Sequence, residues 1–203
     1  MEAESFAARV RKLESMLRSY RINYYGWGID PKTKSTWELQ REIDEGESII
    51  QVDHTGILRV ARILSMRIPH PYMPDLFMHV THQWFPKKNA GRRRGKNGYG
   101  EIIAGKIKRY EEPREALERE LREELQLEPS HYYLSSPFKF ELDPRSSPSY
   151  EGLPNRYDKY TCSLDWYSCP EHYHRAMRFV VVSQDEDETE QTIEWLKDLQ
   201  QSA

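Results

Sequence analysis

Hydrophobic positions recur along this chain at two different periods, and each change of period marks the border of an element. Phe6, Val10, Leu13, Leu17 and Tyr20 fall at helical spacing with arginines, a lysine and a glutamate between them. That pattern predicts an opening amphipathic helix packed on the body of the protein. Asn23 to Gly28, rich in aromatics and glycine, reads as a packed loop or short strand. Ser35 with Glu38 fits a capping box, and the helix it opens runs through Trp37, Leu39 and Ile43 to a stop at Gly46.

The period then drops to two. Ile49 to Val52 and Ile57 to Ile68 read as a hairpin turned at His54-Thr55-Gly56, with Leu58, Val60, Leu64, Met66 and Ile68 on one face and Arg59 and Arg67 on the other. Arg62 interrupts the apolar face. Pro69, Pro71 and Pro74 break regular structure before a strand from Leu76 to Phe85, on which His79 and His82 have odd separation and so point to opposite faces. Lys87 to Gly100 is basic and glycine-rich and predicts a flexible loop. Glu101 to Ala104 is a short strand.

Pro113 suits the first turn of a helix, because its missing N–H would be an orphan there, and a run of strong helix formers follows to Leu127. At about 100° per residue Leu117, Leu121 and Leu125 form an apolar stripe, and Glu120, Glu123 and Glu124 cluster beside it. Strands are predicted over Phe138–Leu142, Tyr157–Trp166 and Met177–Val182, the last with the continuous apolar run of a buried central strand. Residues 144–154 form a turn-rich loop long enough to cover a pocket. Thr189 to Leu199, with Ile193, Trp195 and Leu196, reads as a closing helix.

Composition narrows the class. A chain of 203 residues, 37% hydrophobic and 12% aromatic, can bury a sizeable core, while 31% charge makes its surface polar. No apolar run approaches the roughly 18 residues of a membrane span, so no membrane association is expected and a cytoplasmic location is the default. Cys162 and Cys169 are too few for a disulfide framework. A zinc site from these two with His172 and His174 is disfavoured by the wide cysteine spacing and by Pro170 between them. The net charge of −3 hides a basic run, Lys87 to Lys96, and an acidic one, Asp185 to Glu190.

The three glutamates carry the chemistry. Like charges at Glu120 and Glu124 repel unless a cation lies between them, and hard oxygen ligands suit Mg²⁺ or Mn²⁺. A solvated helix face is the plainer reading of composition alone. Spacing decides against it. Gly105, then Glu111 after five residues, then Arg119, Glu120, Leu121, Glu123, Glu124 and Leu127 match all but one fixed position of a longer pattern, with Gln126 where a second glycine belongs.

This stretch, residues 105–127, resembles the Nudix box. The resemblance implies an α/β fold, a Nudix-like α/β/α sandwich with a mixed β-sheet, here carrying an N-terminal helical extension over residues 1–48 ahead of a Nudix domain over 49–203. It also implies a metal-dependent hydrolase that cleaves a diphosphate linkage in a nucleoside diphosphate derivative, with Mg²⁺ or Mn²⁺ as cofactor. Glu120 and Glu124 would be direct metal ligands and Glu123 a ligand or the base. The backbone carbonyl of Ala104 would join the metal shell. Gly105, Glu111 and Arg119 would be structural, Arg119 orienting a glutamate and Glu111 tying the loop to the helix. Arg92, Arg93 and Arg94 are candidates for a rim that attracts substrate phosphates. A catalytically silent Nudix domain, acting as a nucleotide sensor or protein-binding module, is the alternative. RNA, cleaved at its 5′ end or cap, is the less favoured substrate because the basic run is short; a homodimer is allowed.

Overall fold

The computed structural model describes residues 4–30, 33–95, 101–184 and 188–197. The elements in chain order are α1 (Phe6–Ser19), α2 (Thr36–Asp44), β1 (Ile49–Asp53), β2 (Gly56–Arg67), β3 (Leu76–Phe85), β4 (Ala90–Arg93), β5 (Glu101–Ile107), α3 (Pro113–Leu125), β6 (Tyr132–Leu134), β7 (Lys139–Asp143), β8 (Asn155–Trp166), α4 (Glu171–His174), β9 (Arg178–Val182) and β10 (Glu190–Lys197). The class is α/β, with hydrogen-bonded strand order β6-β8-β2-β5-β3-β10-β9 and with β1 on β2, β4 on β3 and β7 on β8. Among the described residues no helix is long and apolar enough to cross a membrane.

The chain forms two compact units whose residues interleave in sequence. The first comprises Met1–Ile63, Lys106–Glu111 and Phe140–Lys159. Its helices follow the predicted signals. The Ser5 hydroxyl caps α1 by accepting from the Ala8 N–H, and Val10, Leu13 and Leu17 bury one stripe. Ser35 and Glu38 close a reciprocal capping box on α2. Leu13, Leu17, Leu39 and Ile57 pack with Tyr24, Trp27, Tyr150 and Leu153. The loop over residues 144–154 therefore plugs Tyr150 and Leu153 into this core, while most of its other residues are exposed. Trp27 donates its indole N–H to the Glu151 carbonyl at 3.0 Å, which fixes the plug in place.

Arg59, expected on the polar face of β2, is buried in this unit. Its guanidinium donates to Glu42 at 2.8 Å and to the Asn155 side chain at 2.6 Å, and lies over the Tyr150 ring. Glu42 also holds Lys34 at 2.6 Å, Lys106 at 2.9 Å and the Ser48 hydroxyl at 2.7 Å. A buried carboxylate is tolerated here because cations and a hydroxyl replace the lost water.

The second unit comprises Leu64–Gly105, Glu112–Lys139 and Tyr160–Ala203. Here three expectations fail for reasons of pairing. The predicted closing helix is the strand β10, which lies between β3 and β9. Gln191, Ile193 and Trp195 bury alternate positions, so sheet pairing overrides the helix-forming glutamates and leucine. The run at 178–182 is an edge strand and not a central one: Val181 is buried while Val180 and Val182 are exposed. The basic loop begins as a 3₁₀ turn, Pro86–Lys88, turns at Asn89 with a left-handed φ of 47°, and returns as β4 along β3. Residues 96–100 of that stretch lie outside the described residues, as does Leu199 at the end of the expected helix.

A β-bulge also alters the reading of the histidines. Thr192 lies opposite His82 and Ile193 opposite Val80, which leaves Thr81 as the extra residue. His79 faces Glu194 and His82 faces Thr192, positions of equal parity on β10, so the bulge brings the two histidines to one face.

Replacing Glu42 with Gln leaves Arg59 buried without its counter-charge and is expected to cost about 3–5 kcal/mol. Burial alone would raise the Glu42 pKa, but Lys106, Lys34 and Arg59 together hold it far below its ordinary value of 4.5. A depressed folded value means the carboxylate stabilises the protein fully above about pH 4.5 and loses that contribution as pH falls below it. Urea melts of both proteins from pH 7 to pH 3 check this, and the gap between them should narrow only on the acid side.

Candidate active site

The site is built where β5 meets α3. Glu112 precedes Pro113 and shares a capping box with Glu115, whose carboxylate accepts from the Glu112 N–H at 2.9 Å. Leu117, Leu121 and Leu125 bury the apolar face of the helix, and this rotation leaves Glu120, Glu123 and Glu124 together on an adjoining one, beside the small buried Ala116. Glu120 is buried, whereas Glu123 and Glu124 are half-exposed.

Gly105 sits in β5 directly against Glu120. A Cβ at residue 105 would overlap the carboxylate carbon and both carboxylate oxygens of Glu120. The glycine is required for close approach and not for an unusual backbone angle. Ala104, immediately before it, keeps the strand extended and places its backbone carbonyl next to this contact in the chain.

Arg119 holds the outer side of the cluster. One of its nitrogens, Nη1, donates to Glu120 Oε1 at 2.8 Å and to Glu123 Oε2 at 3.1 Å. Two carboxylates thus converge on one cationic atom. Among the described residues no group of three or more His, Cys, Asp or Glu is gathered as a ready metal cage. The donors are nevertheless of the hard-oxygen type that Mg²⁺ and Mn²⁺ take, and their shared cation marks a point where two of them already meet.

The helix ends on Gln126 in the left-handed region, φ 53° and ψ 31°. Its N–H folds back to the carbonyls of Leu121 and Arg122, and its side-chain amide donates to the Val182 carbonyl at 3.1 Å. That amide bond helps offset the cost a non-glycine residue meets there. The backbone N–H of Gln184 donates to the Glu123 carbonyl at 2.7 Å, joining the chain after β9 to the glutamate turn.

In the first unit, the loop that precedes α3 in sequence is tied by residues that sequence reasoning missed or placed differently. Glu111 accepts from the Lys108 N–H at 3.0 Å, within its own loop. Arg62, which only appeared to interrupt the apolar pattern of β2, donates to the carbonyls of Lys108 at 3.1 Å and Glu111 at 2.9 Å. Its position among apolar residues was the available signal.

Two of the three arginines lie on a strand and not in a flexible loop. Arg92 and Arg93 are successive residues of β4 and therefore face opposite ways. Arg92 donates twice to Gln83 Oε1, at 2.9 and 2.8 Å, and Arg94 donates its backbone N–H to the Thr81 carbonyl. Cys162 and Cys169 are free thiols whose pKa values burial pushes up to about 12. Tyr24, Trp27 and Tyr150 are packed in the core of the first unit.

Comparison with known proteins decides the family: the NUDIX domain model matches residues 87–197, more than half of the chain. The chain belongs to the Nudix family. The match spans the box and continues through β10, so the Nudix domain takes in the strand that replaced the expected helix. A crystal structure of an ADP compounds hydrolase is similar at 11% identity, covering 73% of this chain and 69% of that one, with a TM-score of 0.35. A likeness of that degree adds nothing to the family assignment. No curated protein matches.

If the Gly105 contact sets the position of Glu120, then Gly105→Ala overpacks it and costs about 1–3 kcal/mol. Adding Glu120→Ala removes the obstruction, and in that background the same substitution should cost less than about 1 kcal/mol. Urea denaturation of the four proteins in this cycle measures the coupling.

Proposed function

We propose that this Nudix domain hydrolyses the diphosphate linkage of a nucleoside diphosphate derivative, using Mg²⁺ or Mn²⁺. The observation that carries the reading is the convergence of Glu120 and Glu123 on a single cationic nitrogen, with Glu120 seated against Gly105. Nudix proteins are in general hydrolases, which agrees with it. Glu120 and Glu124 would hold the cation, with Glu123 as a third ligand or as the base, and the Ala104 carbonyl completing the shell.

A divalent cation bound here supplies neutralisation of diphosphate charge and a water of lowered pKa. The chain's own part is positional. Glu120 is buried and cannot swing away, so it fixes where charge can be accepted. Glu123, nearer solvent, can take a proton from water and release it to bulk. Arg119, paired with both Glu120 and Glu123, would hold their carboxylates in place and keep positive charge beside an anionic substrate. Arg92, Arg93 and Arg94 add positive charge to the same unit and raise local substrate concentration.

A second reading, a catalytically silent Nudix domain that binds a nucleotide or a protein, is favoured by one observation: Arg119 already neutralises two of the glutamates. Turnover separates the two. Formation of a nucleoside monophosphate from a panel of nucleoside diphosphate derivatives with Mg²⁺ or Mn²⁺, followed by chromatography, should show at least one substrate. Glu120→Gln and Glu124→Gln should each lower kcat/KM on it by about 100-fold or more, since the charge of a metal-shell group is lost while its size is kept. Binding of the panel without turnover of any member would leave the silent domain.

A further inference from the structure

A second concavity lies on a different side of α3. It has a volume of about 300 Å³ and is floored by Leu117, Leu134 and Pro129, with Tyr132, Tyr133 and Tyr167 around it. On a helix of 3.6 residues per turn, the positions facing it, Arg114, Leu117 and Glu118, are centred roughly 120° around from the glutamate face. It is therefore separate from the diphosphate site.

Its lining is aromatic, with two tyrosine rings already in contact that offer their outer faces to a flat ring. Tyr133 and Tyr167 lie with centroids 4.8 Å apart, tilted by 37°, and both are exposed enough to receive a partner. Tyr133 is held in place by its hydroxyl, which donates to Asp165 at 3.1 Å. Tyr132 is buried, and its hydroxyl has no hydrogen-bond partner among the described residues. Burial, and after it the charge of Glu118, pushes the Tyr132 pKa up to about 12, so the hydroxyl remains a donor. Arg114 and Glu118 pair with each other at 3.3 Å at the same pocket, so neither sign of charge prevails there and a simple ion has little to gain. The volume is at the small end of the range for ligand pockets, enough for one ring system.

We infer that this pocket binds an uncharged planar heteroaromatic ring, such as a nucleobase, stacked against Tyr133 and Tyr167 over the Leu117–Leu134 floor. The ring could come from a free nucleoside or from the base of a nucleotide. Stacking supplies affinity without strong base preference, because every base presents a π-face.

The test uses the full chain carrying Glu120→Gln, in EDTA, so that diphosphate-site binding does not contribute. Adenosine, AMP and cyclohexylmethanol are titrated separately, and amide shifts over residues 132–134 and 164–168, away from the glutamate turn, are followed by NMR. Adenosine should saturate shifts in these segments, and Tyr167→Ala should weaken it about fivefold or more. Tyr167 is exposed, so its removal should leave the fold intact; Tyr133→Ala is the second variant and should weaken binding likewise. AMP binding as well as adenosine assigns the ring alone, and AMP binding at least threefold tighter assigns a nucleotide. No saturable shift with either, affinity unchanged in both tyrosine variants, or equal binding of cyclohexylmethanol would overturn the proposal.

Discussion

Glu120 occupies the space that any side chain at residue 105 would need, and the guanidinium of Arg119 grips its outer oxygen. A carboxylate enclosed in this way costs desolvation, which the charged hydrogen bond offsets. In return its position is set by two elements at once, the strand β5 and the helix α3. Glu123 follows within the same turn and shares the same nitrogen, so the orientation of the glutamate face depends on how α3 lies against β5. The buried leucines of α3 and the fold-back of the chain at Gln126 serve that placement. So does the hydroxyl of Tyr173, which donates to the carbonyl of Leu125 at the helix end.

The residue after Gly105 has a different task. Lys106 is part of the first unit, where it joins Lys34 and Arg59 around the buried Glu42 and also reaches Glu47 at 2.6 Å. Buried ion clusters are poor sources of net stability but are intolerant of losing one member. Consecutive positions of β5 are thus constrained by unrelated causes, one by the absence of a side chain and the other by a charge. Substitutions at either should be felt far more than their place on a short strand suggests.

Much of this was legible in the residues. Capping chemistry at Ser35, proline at the first turn of α3 and the spacing from Gly105 to Leu127 are local signals, and local signals survive folding. What was lost depended on partners distant in sequence. Glu190 to Lys197 contains both a helical and an alternating pattern, and only pairing with β3 and β9 selects the strand. The valines of β9 predict a buried centre, yet the strand lies at an edge. The bulge at Thr81 reverses a parity argument about His79 and His82 that is sound for an unbroken ladder. Gln126 is the converse case: a residue unsuited to a left-handed turn is held there by an amide bond to Val182, a contact that no local pattern reveals.

We propose that the glutamate face of α3 is a divalent-cation site, where the guanidinium of Arg119 now pairs with Glu120 and Glu123. Mn²⁺ binding to the full chain, followed by the loss of the free-ion EPR signal, tests it directly. Wild-type protein should bind Mn²⁺ saturably, Glu120→Gln should weaken binding about tenfold or more, and Glu118→Gln, on the other side of the same helix, should leave it unchanged. Equal affinity in wild type and Glu120→Gln, or a loss as large in Glu118→Gln, would contradict the account.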